Sequence, residues 1–237
     1  MIKLEHVVTA SPEQMEFIIE GMRNPHNSWD KSDSKYCLSS PIECDDCSFR
    51  QYCDGGDAYI IGDDDFKLMN KLSKAGTDHR KYMRMMPVYV SITAPLYWWK
   101  EFDTYKVGTV ANSCSTMHKI AEKEFTLDDF STEHLMDYNI SYGDNVCLSP
   151  LECTKDRIFV LNACREKFIE TQDKKYWWQM IQLLPSSYNQ KRAVMLNYEV
   201  LANIYKSRRG HKLDEWIEFC KWIESLPYSE IITGASR

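Results

Sequence analysis

The sequence predicts an α+β fold with a helix-rich C-terminal half, on three observations. Short apolar runs at Ile2 to Val8 and Val88 to Ile92 have strand character, the second apolar enough for a central strand. From about Asp156 onward the apolar residues recur at helical spacing with few breaks. Between these regions Ala94-Pro95 opens an aromatic segment, Leu96, Trp98, Trp99 and Phe102, that reads as a buried helix.

Taken in order, Ile2 to Val8 is the first strand. Ser11-Pro12-Glu13-Gln14 is a capping box with Pro at the first helical position, so a helix runs to about Met22. Asn24 to Asp63 is rich in Ser, Asp, Cys and Gly and reads as a loop. Phe66, Met69 and Leu72 share one helical face that ends at Gly76. Met83, Met85 and Met86 are core filler ahead of the Val88 strand. After the aromatic helix, Thr126 to Met136 reads as a short helix and Ser141 to Cys153 as a loop. Helices follow at about Asp156 to Leu183, Gln190 to Lys206 and Leu213 to Ser225. The pairs Trp98-Trp99 and Trp177-Trp178 read as core or subunit-interface anchors.

At 237 residues, 43% hydrophobic and 13% aromatic, the chain can bury a sizeable core as one domain, 1–237, with a Cys-rich insertion at about 30–62. No apolar run approaches the ~20 residues of a membrane span, and the N-terminus lacks the basic and apolar regions of a signal peptide. A net charge of −6 argues against broad nucleic-acid binding. Nine cysteines without a secretory signal point to a reducing, cytoplasmic setting.

The insertion carries a metal signal. Cys37, Cys44, Cys47 and Cys53 form a C-x6-C-x2-C-x5-C run, and the two-residue gap lets adjacent thiolates face one ion. Zinc, an iron–sulfur cluster and four separate free thiols all remain open. Cys44-Asp-Asp-Cys47-Ser-Phe-Arg-Gln-Tyr-Cys53-Asp-Gly-Gly also resembles the auxiliary iron–sulfur motif of some radical enzymes, although their C-x3-C-x2-C signature is absent.

Beyond the aromatic helix lies a stretch crowded with Thr, Ser, Asn, Cys and Lys, with Gly108 available for a positive φ. Short hydroxyls and backbone N–H groups displayed this way suit a phosphate or another anion. The register Thr93-Ala94-Pro95-Leu96, seven residues, then Thr104-Tyr105-Lys106-Val107-Gly108-Thr109-Val110-Ala111-Asn112-Ser113-Cys114-Ser115-Thr116 resembles flavin-dependent thymidylate synthases. In that family an Ala-Pro helix leads without a gap into Arg-His-Arg, two residues, Ser, one residue, Asn-Glu, one residue, Ser, one residue, Arg. Here Thr104, Tyr105 and Lys106 stand at Arg-His-Arg, and Thr109 keeps the first hydroxyl. Ala111 and Asn112 take the Asn-Glu places, Cys114 the second Ser, and Thr116 the final Arg.

A second block agrees in order and spacing. Leu184-Pro185, eleven residues, Leu196-Asn197-Tyr198-Glu199-Val200-Leu201, six residues, then Arg208 is similar to the family's Leu-Pro and its Asn-Ala-Arg-x-Leu helix, which ends in a Leu-Arg. Trp216 and Glu218 echo a later Trp-Glu only after a small insertion. The resemblance runs from Leu72 to Ile223, and Met85 holds the place of a flavin-binding histidine.

The resemblance implies a flavin-dependent thymidylate synthase-like fold, a central mixed or antiparallel sheet with helices. It implies reductive methylation of a pyrimidine deoxynucleotide such as dUMP, with FAD as cofactor, methylenetetrahydrofolate as carbon donor and NADPH as reductant. Arg208 is then the pyrimidine-contacting, catalytic arginine. Lys106, Asn197 and Tyr105 stand at cofactor positions, and Thr109, Asn112, Cys114, Ser115 and Thr116 at substrate positions, with His118 and Lys119 near enough to supply a positive charge. The family is a homotetramer with active sites shared between chains. From the residues alone, a relative that binds nucleotide without flavin chemistry, and a metal-clipped interaction protein, remain alternatives.

Overall fold

The computed structural model describes residues 2–37 and 58–235. In chain order the elements are β1 (Lys3–Thr9), α1 (Pro12–Arg23), β2 (Lys35–Tyr36), β3 (Tyr59–Ile60), α2 (Asp63–Lys74), β4 (Pro87–Pro95), α3 (Leu96–Phe102) and β5 (Val110–Ser113). They continue with β6 (Ile140–Tyr142), β7 (Asn145–Cys147), α4 (Pro150–Thr171), α5 (Lys174–Leu183), β8 (Asn189–Asn197), α6 (Tyr198–Arg208), α7 (Asp214–Glu224) and α8 (Glu230–Thr233). The fold is α+β. An antiparallel sheet has strand order β1-β4-β8-β5, and two small antiparallel ladders pair β2 with β3 and β6 with β7. No described helix is long and apolar enough to cross a membrane.

Two compact units contain these elements. The first comprises Met1–Lys3, Ile92–Thr104 and Asn112–Arg192; the second comprises Leu4–Ser91, Tyr105–Ala111 and Ala193–Arg237.

In the second unit α1 starts as expected. The Ser11 hydroxyl accepts from the Gln14 amide while Gln14 Oε1 accepts from the Ser11 amide, and Met15, Ile18, Ile19 and Met22 are buried. Helix α2 buries Phe66, Met69 and Leu72 and gives way at Gly76, whose φ of +103° suits only glycine readily. Its N-terminus is capped from a distance, because Asp33 accepts from the amides of Asp64 and Asp65, each at 3.0 Å. Burial raises the Asp33 pKa, but these amide bonds outweigh it and the net displacement is downward. Beneath this cap Arg23 and Asp65 form a buried ion pair, Nε to Oδ1 at 2.5 Å, and Asp65 Oδ2 accepts from Ser32 Oγ and from the Ser34 amide and hydroxyl.

In the first unit Trp98, Trp99 and Phe102 are fully buried on α3, Trp98 stacked on Phe102 and Trp99 edge-on to both. Burying each ring contributes roughly 2–3 kcal/mol. Helix α4 packs against α5 over a cluster of Ile120, Phe125, Phe130, Leu161 and Met180. Asn162 locks the Phe125 backbone on both sides, donating to its carbonyl and accepting from its amide.

Several expectations need correction. Gln190 to Lys206 is not one helix: Asn189–Asn197 is a strand with Gln190, Val194 and Leu196 on its buried face, and only the rest is helical. Asp156 to Leu183 is two helices, beginning earlier at Pro150. Gln172 takes φ +56° and Asp173 caps α5 by accepting from the Lys175 amide. Thr126 to Met136 supplies one 3-10 turn, Leu127–Asp129, because Phe130 turns extended to bridge Tyr188. The loops expected at 24–63 and 141–153 contain short ladders, the second turning at Gly143 with φ +58°. Met83 and Met86 are core, whereas Met85 is 40% exposed.

Candidate nucleotide site

The strongest constellation in the second unit centres on Arg208, in the last turn of α6. Its Nε donates to the Tyr105 hydroxyl at 2.9 Å, and its Cζ lies 4.7 Å from the Trp216 ring centroid and 5.7 Å from that of Tyr105. Tyr105 meets Trp216 edge-on at 6.1 Å, and the His211 ring sits edge-on to Trp216 at 6.3 Å. Trp216 is fully buried near the start of α7, so the guanidinium rests on a fixed aromatic floor. Two sequence-predicted residues, Arg208 and Tyr105, thus touch. Tyr105 acts here on the arginine.

Three further predicted positions gather around Gly108, whose φ is +79°. A Cβ there would lie 3.0 Å from Asn197 Nδ2 and 3.1 Å from Val200 Cγ2, so the turn is pressed onto the start of α6. Asn197 is not the mid-helix residue expected; it is the N-cap of α6, and its Oδ1 accepts from the Val200 amide at 3.1 Å. The Thr109 hydroxyl is buried and has no hydrogen-bond partner among the described residues. Lys106 is exposed.

Asn112, Cys114, Ser115 and Thr116 belong to the first unit. Asn112 lies on the exposed strand β5 and Cys114 just after it, with an exposed thiol. The Cys114 amide donates to Lys191 O at 2.9 Å and its carbonyl accepts from Gln190 Nε2 at 3.1 Å. Ser115 Oγ accepts from the His118 amide at 3.0 Å, and Thr116 is half-buried. Lys119 pairs with Glu122 on the surface.

Arg80 and Arg84, in the second unit, converge on Glu199 of α6. Arg80 Nε donates to Oε1 at 3.0 Å, Arg84 Nε to Oε2, and Arg80 Nη2 reaches Asn203 Oδ1 at 3.2 Å. Burial raises the Glu199 pKa, but the two guanidinium partners prevail and hold it below the usual carboxylate value. Of the predicted metal ligands, Cys37 is half-buried at the end of the β2–β3 ladder, its amide donating to Ala58 O at 2.8 Å. Cys44, Cys47 and Cys53 lie outside the described residues, and among the described ones no cluster of His, Cys, Asp and Glu has metal-holding geometry.

Sequence reasoning missed Trp216 as the floor for Arg208, and missed Trp99, Gln190 and Arg192, which are bonded together in the first unit. The available signal was the period-two register Gln190, Arg192, Val194, Leu196, half-concealed by two polar residues on the inner face.

No family model and no curated protein matches this sequence. Solved structures do. Thymidylate synthase X from Helicobacter pylori, determined with FAD and dUMP, aligns over 98% of this chain and 95% of its own, with TM-score 0.60 and 15% identity. A UMP/dUMP methylase, PolB from Streptomyces cacaoi, bound with 5-Br dUMP, aligns over 99% and 95%, with TM-score 0.58 and 14% identity. The chain therefore has the fold of the flavin-dependent thymidylate synthases and of the UMP/dUMP methylase PolB over nearly its whole length.

Proposed function

We propose that this protein is a divergent pyrimidine-nucleotide methylase that binds dUMP or UMP. The observation that carries the reading is Arg208, fixed by the Tyr105 hydroxyl and seated on buried Trp216, on a fold whose similar structures hold dUMP or 5-Br dUMP. A guanidinium pre-oriented in this way stabilises negative charge developing on a pyrimidine oxygen when the ring is reduced and methylated. Within the first unit, Asn112, Ser115 and Thr116 are proposed to offer hydroxyl and amide groups to the nucleotide phosphate, with Cys114 on the same turn. In the second unit Thr109, Lys106 and Asn197 Nδ2 are proposed as donors to a flavin or phosphate oxygen, a role supported by a Thr109 hydroxyl that has no partner among the described residues. When bound, FAD would supply hydride from NADPH, and methylenetetrahydrofolate the one-carbon unit. A homotetramer accords with the apolar side chains open on the first unit, among them Phe159, Val146 and Ile169. Calorimetric titration with dUMP and UMP, together with the visible spectrum of the purified protein, tests the reading; absence of binding by either nucleotide would refute it.

A second reading has a specific observation behind it. Asn197 Oδ1 is committed to capping α6, and the Arg-His-Arg places hold Thr104, Tyr105 and Lys106. A relative that binds nucleotide without flavin chemistry accounts for both. Colourless protein with dUMP affinity would decide for it. Separately, Cys37, Cys44, Cys47 and Cys53 are proposed as a structural zinc or iron–sulfur site, supported by their spacing.

A further inference from the structure

The nucleotide reading leaves Gln190, Arg192 and Trp99 without a task, yet Gln190 is tied at three points. Its carbonyl accepts from Trp99 Nε1 at 3.0 Å, its Oε1 accepts from Arg192 Nε at 2.9 Å, and its Nε2 donates to Cys114 O at 3.1 Å. Because a guanidinium only donates, Arg192 fixes which end of the carboxamide faces it, and so turns Nε2 towards Cys114. Arg192 is itself immobilised. Its Cζ lies 4.1 Å from the Trp99 ring centroid, and its Nη1 donates to Asp103 Oδ1 at 2.7 Å. The Cys114 amide donates to the neighbouring Lys191 carbonyl, so both peptide groups flanking this residue rest on β8.

What this chain of bonds restrains is the start of a turn that carries Ser115 and Thr116. The turn is exposed at Cys114 and Ser115 and has little packing of its own. A buried carboxamide, 8% exposed, would ordinarily be served by a neighbouring strand; here it spends its donor on the root of a hydroxyl turn. We propose that Gln190 and Arg192 are positioning residues that hold the 114–116 turn in the geometry that receives the phosphate of a pyrimidine nucleotide. The proposal rests on the nucleotide reading for the identity of the ligand. Neither residue touches that ligand; each acts through the backbone of Cys114.

The test compares wild type with Gln190→Glu and Arg192→Lys. The first keeps the acceptor for Arg192 and loses the donor to Cys114. The second keeps a charge facing Asp103 and loses both the planar stack and the Nε donor, so it serves if the first does not fold. Hydrogen exchange of the peptide spanning 112–118 should quicken about tenfold in both variants, while exchange across α4 and α5 stays at the wild-type rate. The calorimetric Kd for dUMP should rise about tenfold in parallel. Wild-type exchange at 112–118 in both variants overturns the proposal, as does faster exchange with undiminished dUMP affinity. Wild-type protein that binds neither dUMP nor UMP overturns the functional reading instead, and exchange alone then decides whether the two residues hold the turn.

Discussion

Arg208 Nε donates to the Tyr105 hydroxyl at 2.9 Å, joining the last turn of α6 to the segment that follows the tryptophan helix. Tyr105→Phe removes only this acceptor and leaves the guanidinium over Trp216. A hydrogen bond to a charged group is worth about 1.5–3 kcal/mol, part of which water restores. Calorimetry should therefore find dUMP binding weakened about tenfold, and Arg208→Ala should weaken it further without altering flavin content. Equal affinities in Tyr105→Phe and wild type would show that the hydroxyl does not govern the arginine.

Gly62 should resist replacement. A Cβ at this position would lie 2.2 Å from Asp33 Cγ, too close for any real contact, so Gly62→Ala must push away the carboxylate that caps α2. Losing such a cap costs about 1–2 kcal/mol. Scanning calorimetry should register a fall in Tm of several degrees, and Asp33→Ala should produce a similar fall.

The Arg23–Asp65 pair predicts a larger loss. Asp65 is fully buried and Arg23 nearly so. Asp65→Ala strands a guanidinium in the interior, at a cost of about 3–5 kcal/mol. Urea denaturation should show the midpoint drop accordingly, and replacing both partners by apolar residues should recover part of it.

Glu199 predicts an acid-sensitive term. Its carboxyl, held low by Arg84 and Arg80, titrates below its unfolded value when folded. It therefore stabilises the protein above the unfolded pKa, and that contribution disappears as pH falls through the folded one. As pH falls below the ordinary glutamate value, wild type should lose more unfolding free energy than Glu199→Gln. Parallel pH profiles for the two proteins would exclude the effect.

Metal content addresses the cysteine run. Protein purified without oxygen should carry close to one zinc, or iron with sulfide, per chain, and Cys44→Ser with Cys47→Ser should abolish it. Metal-free wild type would leave four ordinary thiols.

Much of this was written plainly in the residues. The Ser11 capping box, the Phe66-Met69-Leu72 face and the buried aromatic helix each form where local chemistry places them. The two motif blocks also carried the fold, since Arg208 and Tyr105 meet in the structure. Strand β8 was illegible because Gln190 and Arg192 occupy inward positions, so its alternation read as helical polarity. Asn197 was misplaced with it: a cap cannot be recognised until the strand before it is. Trp216 shows a different limit. Nothing local marks a tryptophan on an amphipathic helix as the support of one particular arginine, because that pairing depends on how α6 and α7 turn back on each other.

The ladder at Lys35–Tyr36 and Tyr59–Ile60 has an evolutionary corollary. Tyr36 faces Tyr59 in register and the Cys37 amide donates to Ala58 O, so Cys37 and Ala58 stand side by side at the end of the ladder. A stretch attached by such a doorway can be lengthened, shortened or exchanged while the framework around it stays put. Splicing a two-residue Asn-Gly link between Cys37 and Ala58 should yield a protein with an unchanged melting profile and intact dUMP binding. The cysteine run would then be separable from the proposed nucleotide site.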